Sequence, residues 1–280
     1  MSPSSPDPFS MQQHTTAAPS ADGTFTRYSP FFDEHYHSTR DGAWLESLQK
    51  HVLPGLQLSH ALERPRIRVL DICFGLGLNS LATLWYLEQQ QYQGHVHIIA
   101  PEFDRELIAS LPAHPYPQHL NHYRPLIEEL SRTLCHTSQR CQVEILPGDA
   151  LQSLPRLDHG SIDIVYQDPF SPAKNPELWT REYFALIAAL MKDTGLLTTY
   201  SQATPVRMGL SENGFLIYDF HNQQPGIRRS TIASRIPLQD MTPIDMERKK
   251  ERSPLARSYR DPGLTGNRLE ILQRFQTSSG

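Results

Sequence analysis

The sequence predicts an α/β fold with a mostly parallel sheet of seven strands, an antiparallel hairpin at its edge and helices on both faces. From residue 25 onward, short β-type runs alternate with helical stretches, the order that builds a parallel sheet with crossover helices. The run "SIDIV" (161–165) has the composition of a buried strand. The last two β-type runs, 215–220 and 230–236, lie close enough along the chain to pair as antiparallel strands.

The individual elements follow from the same patterns. Where a predicted strand ends in a polar or glycine-rich turn, that turn lies at the carboxyl edge of the sheet, where α/β folds bind ligands. Predicted helices cover 42–56, 78–91, 123–134 and 179–191, and predicted strands cover 66–72, 95–103, 141–149, 161–168, 195–201, 215–220 and 230–236.

Composition divides the chain into three parts. Residues 1–23 are rich in Ser, Pro, Gln, Thr and Ala and are predicted to form a disordered tail. A single folded domain is expected over 24–240, and a basic surface extension over 241–280. Residues 200–280 contain 12 Lys and Arg against 8 Asp and Glu, although the whole chain has a net charge of −4. This end could face phosphate groups as readily as solvent.

Several classes of protein are disfavoured by composition. The three cysteines do not have the close pairing of a zinc site, and they suggest a reducing compartment. The 13 histidines are scattered, so no metal site is expected. No apolar stretch approaches the roughly 18 residues of a membrane span, and the start of the chain lacks a signal-peptide pattern. We therefore expect a cytoplasmic protein that does not enter the membrane.

A glycine-rich turn follows the first predicted strand of the sheet. In "VLDICFGLGLNS", Asp71 ends the strand, and Gly75 and Gly77 precede a helix, so backbone amides can approach a ligand closely. Ser80 occupies the position where a dinucleotide fingerprint needs its third glycine. The turn resembles the D/E-x-G-x-G-x-G loop of S-adenosylmethionine-dependent methyltransferases, with Cys73 in place of the first glycine.

Two further acids follow the next two strands. Glu102 closes the strand "HIIAPEF" and can accept hydrogen bonds from ribose hydroxyls. Asp149, in "LPGDAL", can accept one from an adenine amino group beside the amide of Ala150. Any one of these acids could simply cap a helix. Three of them at successive strand ends favour an adenosine site that holds S-adenosylmethionine.

The stretch "DPFSPAKNPELW" (168–179) follows the fourth predicted strand. "DPF" resembles the [N/D]-P-P-[Y/F] loop of amino-methylating enzymes. Asp168 would orient an amine or help to remove its proton, and methyl transfer depends mainly on that orientation. Phe170 could stack on a flat substrate.

The whole stretch resembles the D-G-F-A-P-A-K-N-P-x-M-W signature of the MnmC-type methyltransferase domain, which completes 5-methylaminomethyl(-2-thio)uridine at the wobble position of bacterial tRNA. "FGLGLN" (74–79) is similar to that family's F-G-T-G-L-N loop. The resemblance spans roughly residues 24–235 and implies a Rossmann-like fold. It departs from the family at Cys73 and Pro169, which replace glycines.

The resemblance implies a role for individual residues. Asp168 would lie at the reacting amine, and the partner would be the anticodon stem-loop of tRNA. No oxidase module is expected, so a separate enzyme would make the aminomethyl intermediate. The implied cofactor residues are Asp71, Phe74, Gly75, Gly77, Asn79, Glu102, Asp149, Ala150 and Asp168. The implied substrate residues are Tyr36, His37, Ser38, Phe170, Lys174, Asn175, Trp179, Arg207, Arg228 and Arg229, with the basic cluster 248–260 as a further tRNA contact.

Three alternatives stay open at this point. The first is an N-methyltransferase or aminopropyltransferase that acts on a small amine. The second is a non-catalytic tRNA-binding adapter, which would be expected to lose acids such as Asp71, Glu102 or Asp168. The third is a nicotinamide-dependent oxidoreductase, which Ser80 disfavours.

Overall fold

A small antiparallel sheet precedes the main fold. The computed structural model describes residues 16–222, 224–254 and 256–277, and this sheet contains strands β1 (Ala17–Pro19), β2 (Phe25–Ser29) and β3 (Glu34–His35). In the turn between β1 and β2, the Asp22 side chain accepts hydrogen bonds from the Thr24 and Leu45 amides. Residues 16–23 were predicted to be disordered, but their polar side chains close this turn. The rest of the predicted tail, 1–15, lies outside the described residues.

The main sheet has eight strands and confirms the predicted fold class. The order across the sheet is β10-β11-β9-β8-β4-β5-β7-β6, in which β4, β5, β7, β8 and β9 are parallel. The antiparallel hairpin of β10 and β11 forms one edge as predicted. An unpredicted short strand, β6, adds the opposite edge. The strands are β4 (Arg66–Ile72), β5 (His95–Glu102), β6 (Cys135–Thr137), β7 (Cys141–Pro147), β8 (Ile162–Gln167), β9 (Met191–Thr199), β10 (Leu216–Phe220) and β11 (Ser230–Ser234).

Helices cover both faces of this sheet. Alternate residues of each strand enter two separate cores, so Val69 packs with the helices of one face while Leu70 packs with those of the other. The first helix runs from Ala43 to Leu58 and contains a π-helical turn, Ser47–Val52. The helices are α1 (Ala43–Glu46), α2 (Leu53–Leu58), α3 (Leu78–Gln89), α4 (Arg105–Ser110), α5 (Arg124–Thr133), α6 (Ala150–Ser153), α7 (Arg181–Leu190), α8 (Thr204–Ser211), α9 (Met246–Arg252) and α10 (Arg268–Thr277).

The strand order changes direction between β4 and β8. From β4 the chain continues outward to β5 and β7, and then it crosses back to β8 on the other side. The loops that leave β4 and β8 therefore diverge and leave a crevice at the carboxyl edge of the sheet. This is the place that the fold offers for a ligand.

The C-terminal part of the chain packs on the domain. It was predicted to be a basic surface extension, yet Met246, Ala256 and Ile271 are buried, and Tyr259 forms a β-bridge with Thr180. The apolar residues spaced among the charges are sufficient to anchor it, which a count of charges does not reveal. Within the described ranges, no helix combines the length and the apolar character that a membrane span requires.

Candidate active site

A cavity of about 410 Å³ opens at the crevice. Its size lies within the range of about 300–1,000 Å³ that small-molecule sites occupy. We call it the central cavity. It is lined by Phe31, Phe32, Tyr36, His37, Cys73, Gly75, Pro101, Glu102, Phe103, Gly148, Asp149, Ala150, Leu151, Asp168, Phe170, Asn175, Glu177, Leu178, Thr265, Gly266 and Arg268.

Three residues of the loop after β4 adopt the left-handed backbone conformation beside the cavity. The φ angles are 66° at Cys73, 55° at Gly75 and 72° at Gly77. Gly75 lines the cavity, and a Cβ atom there would lie 3.4 Å from Cδ1 of Tyr36. The left-handed conformation costs a residue with a Cβ atom about 1 kcal/mol, so Cys73 occupies a position that suits glycine better. Burial raises the pKa of the Cys73 thiol well above its usual value, which keeps it neutral.

Two predicted members of this loop lie behind the cavity wall. Phe74 is buried in the core, and its amide donates to the carbonyl of Pro101 at 3.1 Å. Gly77 immediately precedes helix α3, and a Cβ atom there would lie 2.7 Å from Cζ of Phe74. Neither residue lines the central cavity. The aromatic ring occupies the space that the glycine leaves, so both residues shape the loop from within.

Asp71 also lies behind the loop that follows β4 and supports it. Its side chain is fully buried and accepts hydrogen bonds from Nδ2 of Asn79 at 3.2 Å and from the Ser80 hydroxyl at 2.7 Å. Burial raises the pKa of Asp71 to about 7. Asn79 donates in addition to Oδ2 of Asp168 at 2.9 Å. Neither Asp71 nor Asn79 lines the central cavity, so both hold the residues that do.

Glu102, Asp149 and Ala150 all line the central cavity. The Glu102 carboxylate accepts hydrogen bonds from the amides of Gly75 at 2.8 Å and Asp104 at 2.9 Å, one on each oxygen. Burial raises its pKa to about 7 despite these bonds. The Asp149 carboxylate is exposed, and its Oδ1 accepts the amide of Leu151 at 2.9 Å, which caps helix α6. Each carboxylate retains lone pairs for a further donor.

Asp168 lies in the cavity wall and is held by two buried side chains. Asn79 contacts its Oδ2, and Nε2 of His51 lies 3.4 Å from its Oδ1, the distance of an ion pair rather than of a well-aligned hydrogen bond. Nδ1 of His51 lies 3.1 Å from the Thr198 hydroxyl. Burial acts to raise the pKa of Asp168, but His51, the charge of His37 and the Asn79 amide together hold it below its usual value. The carboxylate is therefore ionised at neutral pH.

The rest of the "DPF" loop is fixed by aromatic residues. The Tyr200 hydroxyl donates to the carbonyl of Pro169 at 2.9 Å, and Nε1 of Trp179 donates to the carbonyl of Phe170 at 2.8 Å. Trp179 is fully buried and does not line the cavity, although it was predicted to shape the substrate pocket. The Phe170 ring stacks on Phe32 at a centroid distance of 4.3 Å.

The second half of the same stretch divides between the cavity and the surface. Asn175 is buried and lines the central cavity. Lys174 does not line it, because its Nζ lies 2.7 Å from Oδ2 of Asp33 in an exposed ion pair. The amide of Ser171 donates to Glu34 at 3.0 Å, so the N-terminal sheet supports this loop.

A buried charged network lies behind Tyr36 and His37, which both line the cavity. Nζ of Lys50 contacts Asp41 at 2.5 Å and Glu46 at 2.9 Å, and all three side chains are almost fully buried. Glu46 also accepts the amide of Ser38 at 2.7 Å. Ser38 therefore belongs to this network rather than to the cavity wall.

The three predicted tRNA-binding arginines differ in accessibility. Arg207 is buried, and it contacts Thr231 and Asp219, which leaves it unsuited to a phosphate contact. Arg228 is half exposed, and its Nε lies 2.9 Å from Asp41. Arg229 is exposed. Both belong to the loop from β10 to β11, which lies at the same edge of the sheet as the cavity because β11 begins beside the end of β9.

The sequence does not single out several of the residues that build the site. His51 is brought inward by the π-helical turn, which has no clear sequence signal, although such turns often occur at functional sites. Phe31, Phe32 and Arg268 come from the two ends of the described chain. The run of aromatic residues in "SPFFDEHYH" (29–37) was the available signal for the first two. Among the described residues, no group of His, Cys, Asp and Glu could hold a metal ion.

Comparison with known proteins agrees with this geometry. Residues 112–235 match the family of S-adenosyl-L-methionine-dependent methyltransferases known as Methyltransf_30. The crystal structure of MnmC2 from Aquifex aeolicus is 31% identical, with a TM-score of 0.82, and the match covers 96% of this chain and 86% of that one. The chain belongs to the MnmC2 methyltransferase family.

Curated relatives extend this result. The tRNA 5-methylaminomethyl-2-thiouridine biosynthesis bifunctional protein MnmC of Cupriavidus necator is 36% identical over 201 residues, which are 67% of this chain and 30% of that protein. An uncharacterized protein of Methanocaldococcus jannaschii is 28% identical over 90% of this chain and 69% of its own length. The chain thus spans less than a third of the length of the bifunctional relative.

The predictions of a methyltransferase fold, of methyltransferase activity and of S-adenosylmethionine as the cofactor are confirmed. The described residues also fit this cofactor. Gly75 leaves the backbone of the loop accessible, and Glu102 and Asp149 offer acceptors that hydroxyl and amino groups require. Most of the remaining wall is apolar or aromatic, which suits the flat adenine base.

Proposed function

We propose that the protein transfers a methyl group from S-adenosylmethionine to the aminomethyl nitrogen of 5-aminomethyl(-2-thio)uridine at the wobble position of tRNA. The product would be 5-methylaminomethyl(-2-thio)uridine. The observation that carries this proposal is Asp168, an ionised carboxylate in the wall of the central cavity, at the switch point of the sheet. The biosynthetic role in the name of the Cupriavidus necator relative supports the choice of substrate.

The chemistry of an amine acceptor explains the need for this carboxylate. An alkylamine has a pKa near 10 and arrives as an ammonium ion, which an ionised Asp168 attracts and orients. When bound, S-adenosylmethionine supplies an electrophilic methyl group. Because the pKa of Asp168 is held low, it is a weak base, so the ammonium ion gives up one proton to water before attack. Asp168 compensates charge and fixes the direction of the nitrogen lone pair that this deprotonation exposes.

The other cavity residues receive roles that fit their positions. We assign the adenosine half of the cofactor to Glu102 and Asp149, with the amide of Ala150 nearby, and the methionine half to the Gly75 loop. Phe170, backed by Phe32, forms the aromatic wall on which the uracil ring would stack, beside His37 and Asn175. Arg228 and Arg229, with the exposed cations of helix α9, are the proposed contacts to tRNA phosphates.

Methyl transfer to tRNA tests this proposal. Radiolabelled S-adenosylmethionine would be incubated with tRNA from cells that lack the gene, and the nucleosides would then be separated. Wild type should form a labelled 5-methylaminomethyluridine-type nucleoside, and Asp168→Asn should lose at least 100-fold in rate, a typical cost for a positioned catalytic group. Asp158→Asn is the matched control, because that carboxylate is 87% exposed before β8 and does not line the cavity.

Two results would contradict the proposal. Label that enters small amines such as polyamines but not tRNA would favour a small-molecule methyltransferase. Equal activity of Asp168→Asn and wild type would remove the carboxylate from the mechanism.

A further inference from the structure

The C-terminal segment (residues 256–277) forms one wall of the central cavity. Thr265, Gly266 and Arg268 line it together with residues that follow β5 and β7. Because the charge run before this segment predicts only a solvated extension, the sequence gives no indication of such a role.

A buried carboxylate fixes the turn that presents these residues. Asp261 is fully buried, and its oxygens accept the Thr265 hydroxyl at 3.0 Å and the Gly266 amide at 2.9 Å. The amide of Asp261 donates to Glu182 of helix α7 at 2.7 Å. The turn is therefore attached to the domain and does not depend on a ligand for its shape.

The position of Gly266 shows which end of the cavity this turn faces. A Cβ atom on Gly266 would lie 3.3 Å from Cδ1 of Leu151, which follows Asp149 and Ala150 in the chain. Gly266 also has a φ of 66°, a conformation that disfavours any side chain. The turn thus presents bare backbone at the end of the cavity where Asp149 lies.

Arg268 completes the same wall. Its guanidinium carbon lies 5.4 Å and 5.0 Å from the ring centroids of Phe31 and Phe32, and its Nη2 lies 3.2 Å from Oε1 of Glu177. The rings and the carboxylate fix the guanidinium plane, while about a third of the side chain stays exposed. A fixed guanidinium plane stacks well on flat aromatic groups.

We propose that Gly266 and Arg268 bind the adenosine half of S-adenosylmethionine, the first by close backbone contact and the second by covering the base. This inference rests on the assignment of Asp149 and Glu102 to adenosine made above. It requires no methyl acceptor, so it stands or falls independently of the tRNA substrate.

Calorimetry on ligand binding tests the inference. The ligands would be S-adenosylhomocysteine and 5′-methylthioadenosine, which share the adenosine half and differ in the amino-acid half. Arg268→Ala should bind both about tenfold more weakly, as expected for the loss of one stacked cation, and Arg268→Lys should fall between it and wild type. Arg274→Ala is the matched control, because Arg274 lies on the same helix and pairs with Glu270 at the same distance of 3.2 Å. It should remain within twofold of wild type.

Three outcomes would overturn the inference. The first is that Arg268→Ala binds both ligands within twofold of wild type. The second is a loss for S-adenosylhomocysteine alone, which would place Arg268 against the amino-acid half. If Arg268→Ala melts at a much lower temperature, hydrogen exchange of the wild-type protein decides instead. The peptides that cover 261–272 should then exchange more slowly when S-adenosylhomocysteine is added, and unchanged exchange would be the third overturning outcome.

Discussion

The affinity for the adenosine half of the cofactor should depend on pH through Glu102. Burial raises the pKa of this carboxyl to about 7, although it accepts two backbone amides. Only the ionised form can accept further ribose hydroxyls at full strength. About one tenth of Glu102 is ionised at pH 6 and about nine tenths at pH 8. The affinity should therefore rise about tenfold over this interval, or about 1.4 kcal/mol.

Calorimetric titration with 5′-methylthioadenosine measures this rise, because that ligand has no group that titrates between pH 6 and 8. Glu102→Gln should bind more weakly at pH 8 and should show no tenfold rise. Asp71→Asn is the control, because Asp71 has a similar pKa but does not line the cavity. The affinity of this variant should still rise about tenfold between pH 6 and 8. A wild-type affinity that is constant from pH 6 to 8, or a rise that survives in Glu102→Gln, would refute the reasoning.

Three other predictions concern the buried charges around the site. In His51→Leu, the histidine no longer opposes the effect of burial, so the pKa of Asp168 should rise. The acid limb of the pH–rate profile should then move to higher pH. An unchanged acid limb would show that His51 does not act on Asp168. The pKa of Asp71 is raised from 3.8 to about 7, so its contribution to the stability of the fold is present below pH 3.8 and is lost as pH rises through 7. Urea denaturation of wild type should therefore show that the free energy of unfolding falls by roughly 4 kcal/mol between pH 4 and 8 because of Asp71. Asp71→Asn should not show this fall. Lys50→Met leaves Glu46 buried without its cation and should reduce the free energy of unfolding by about 3–5 kcal/mol at neutral pH, whereas a loss below 1 kcal/mol would mean that water reaches the carboxylate.

Much of the fold could be predicted from the sequence because it depends on local patterns. The strand "RIRVLDI" was placed at the residues it occupies, since its apolar run is bounded by turns on both sides. The carboxyl ends of neighbouring parallel strands must meet at one edge, so Asp71, Glu102 and Asp149 were expected to face the same crevice. Glu102 and Asp149 line the central cavity, and so does Asp168 after the fourth strand, whereas Asp71 lies behind the loop.

The missed features depend on contacts between distant parts of the chain. Local composition treats Ser20 and Asp22 as disorder-promoting, yet their side chains accept the first amides of the helix that begins at Ala43. The inward direction of His51 depends on a π-helical turn, which an ordinary helical periodicity does not reveal. The burial of Arg207 depends on its partner Asp219 in the neighbouring strand β10. Charge and periodicity alone cannot distinguish these cases from ordinary surface residues.

The contact of Arg268 with Phe31 and Phe32 joins segments near opposite ends of the described chain. During synthesis, the strands and helices up to β11 can pair before residue 268 has left the ribosome, but the cavity cannot acquire its last wall until then. A newly made chain would therefore complete its sheet first and the wall of the central cavity last.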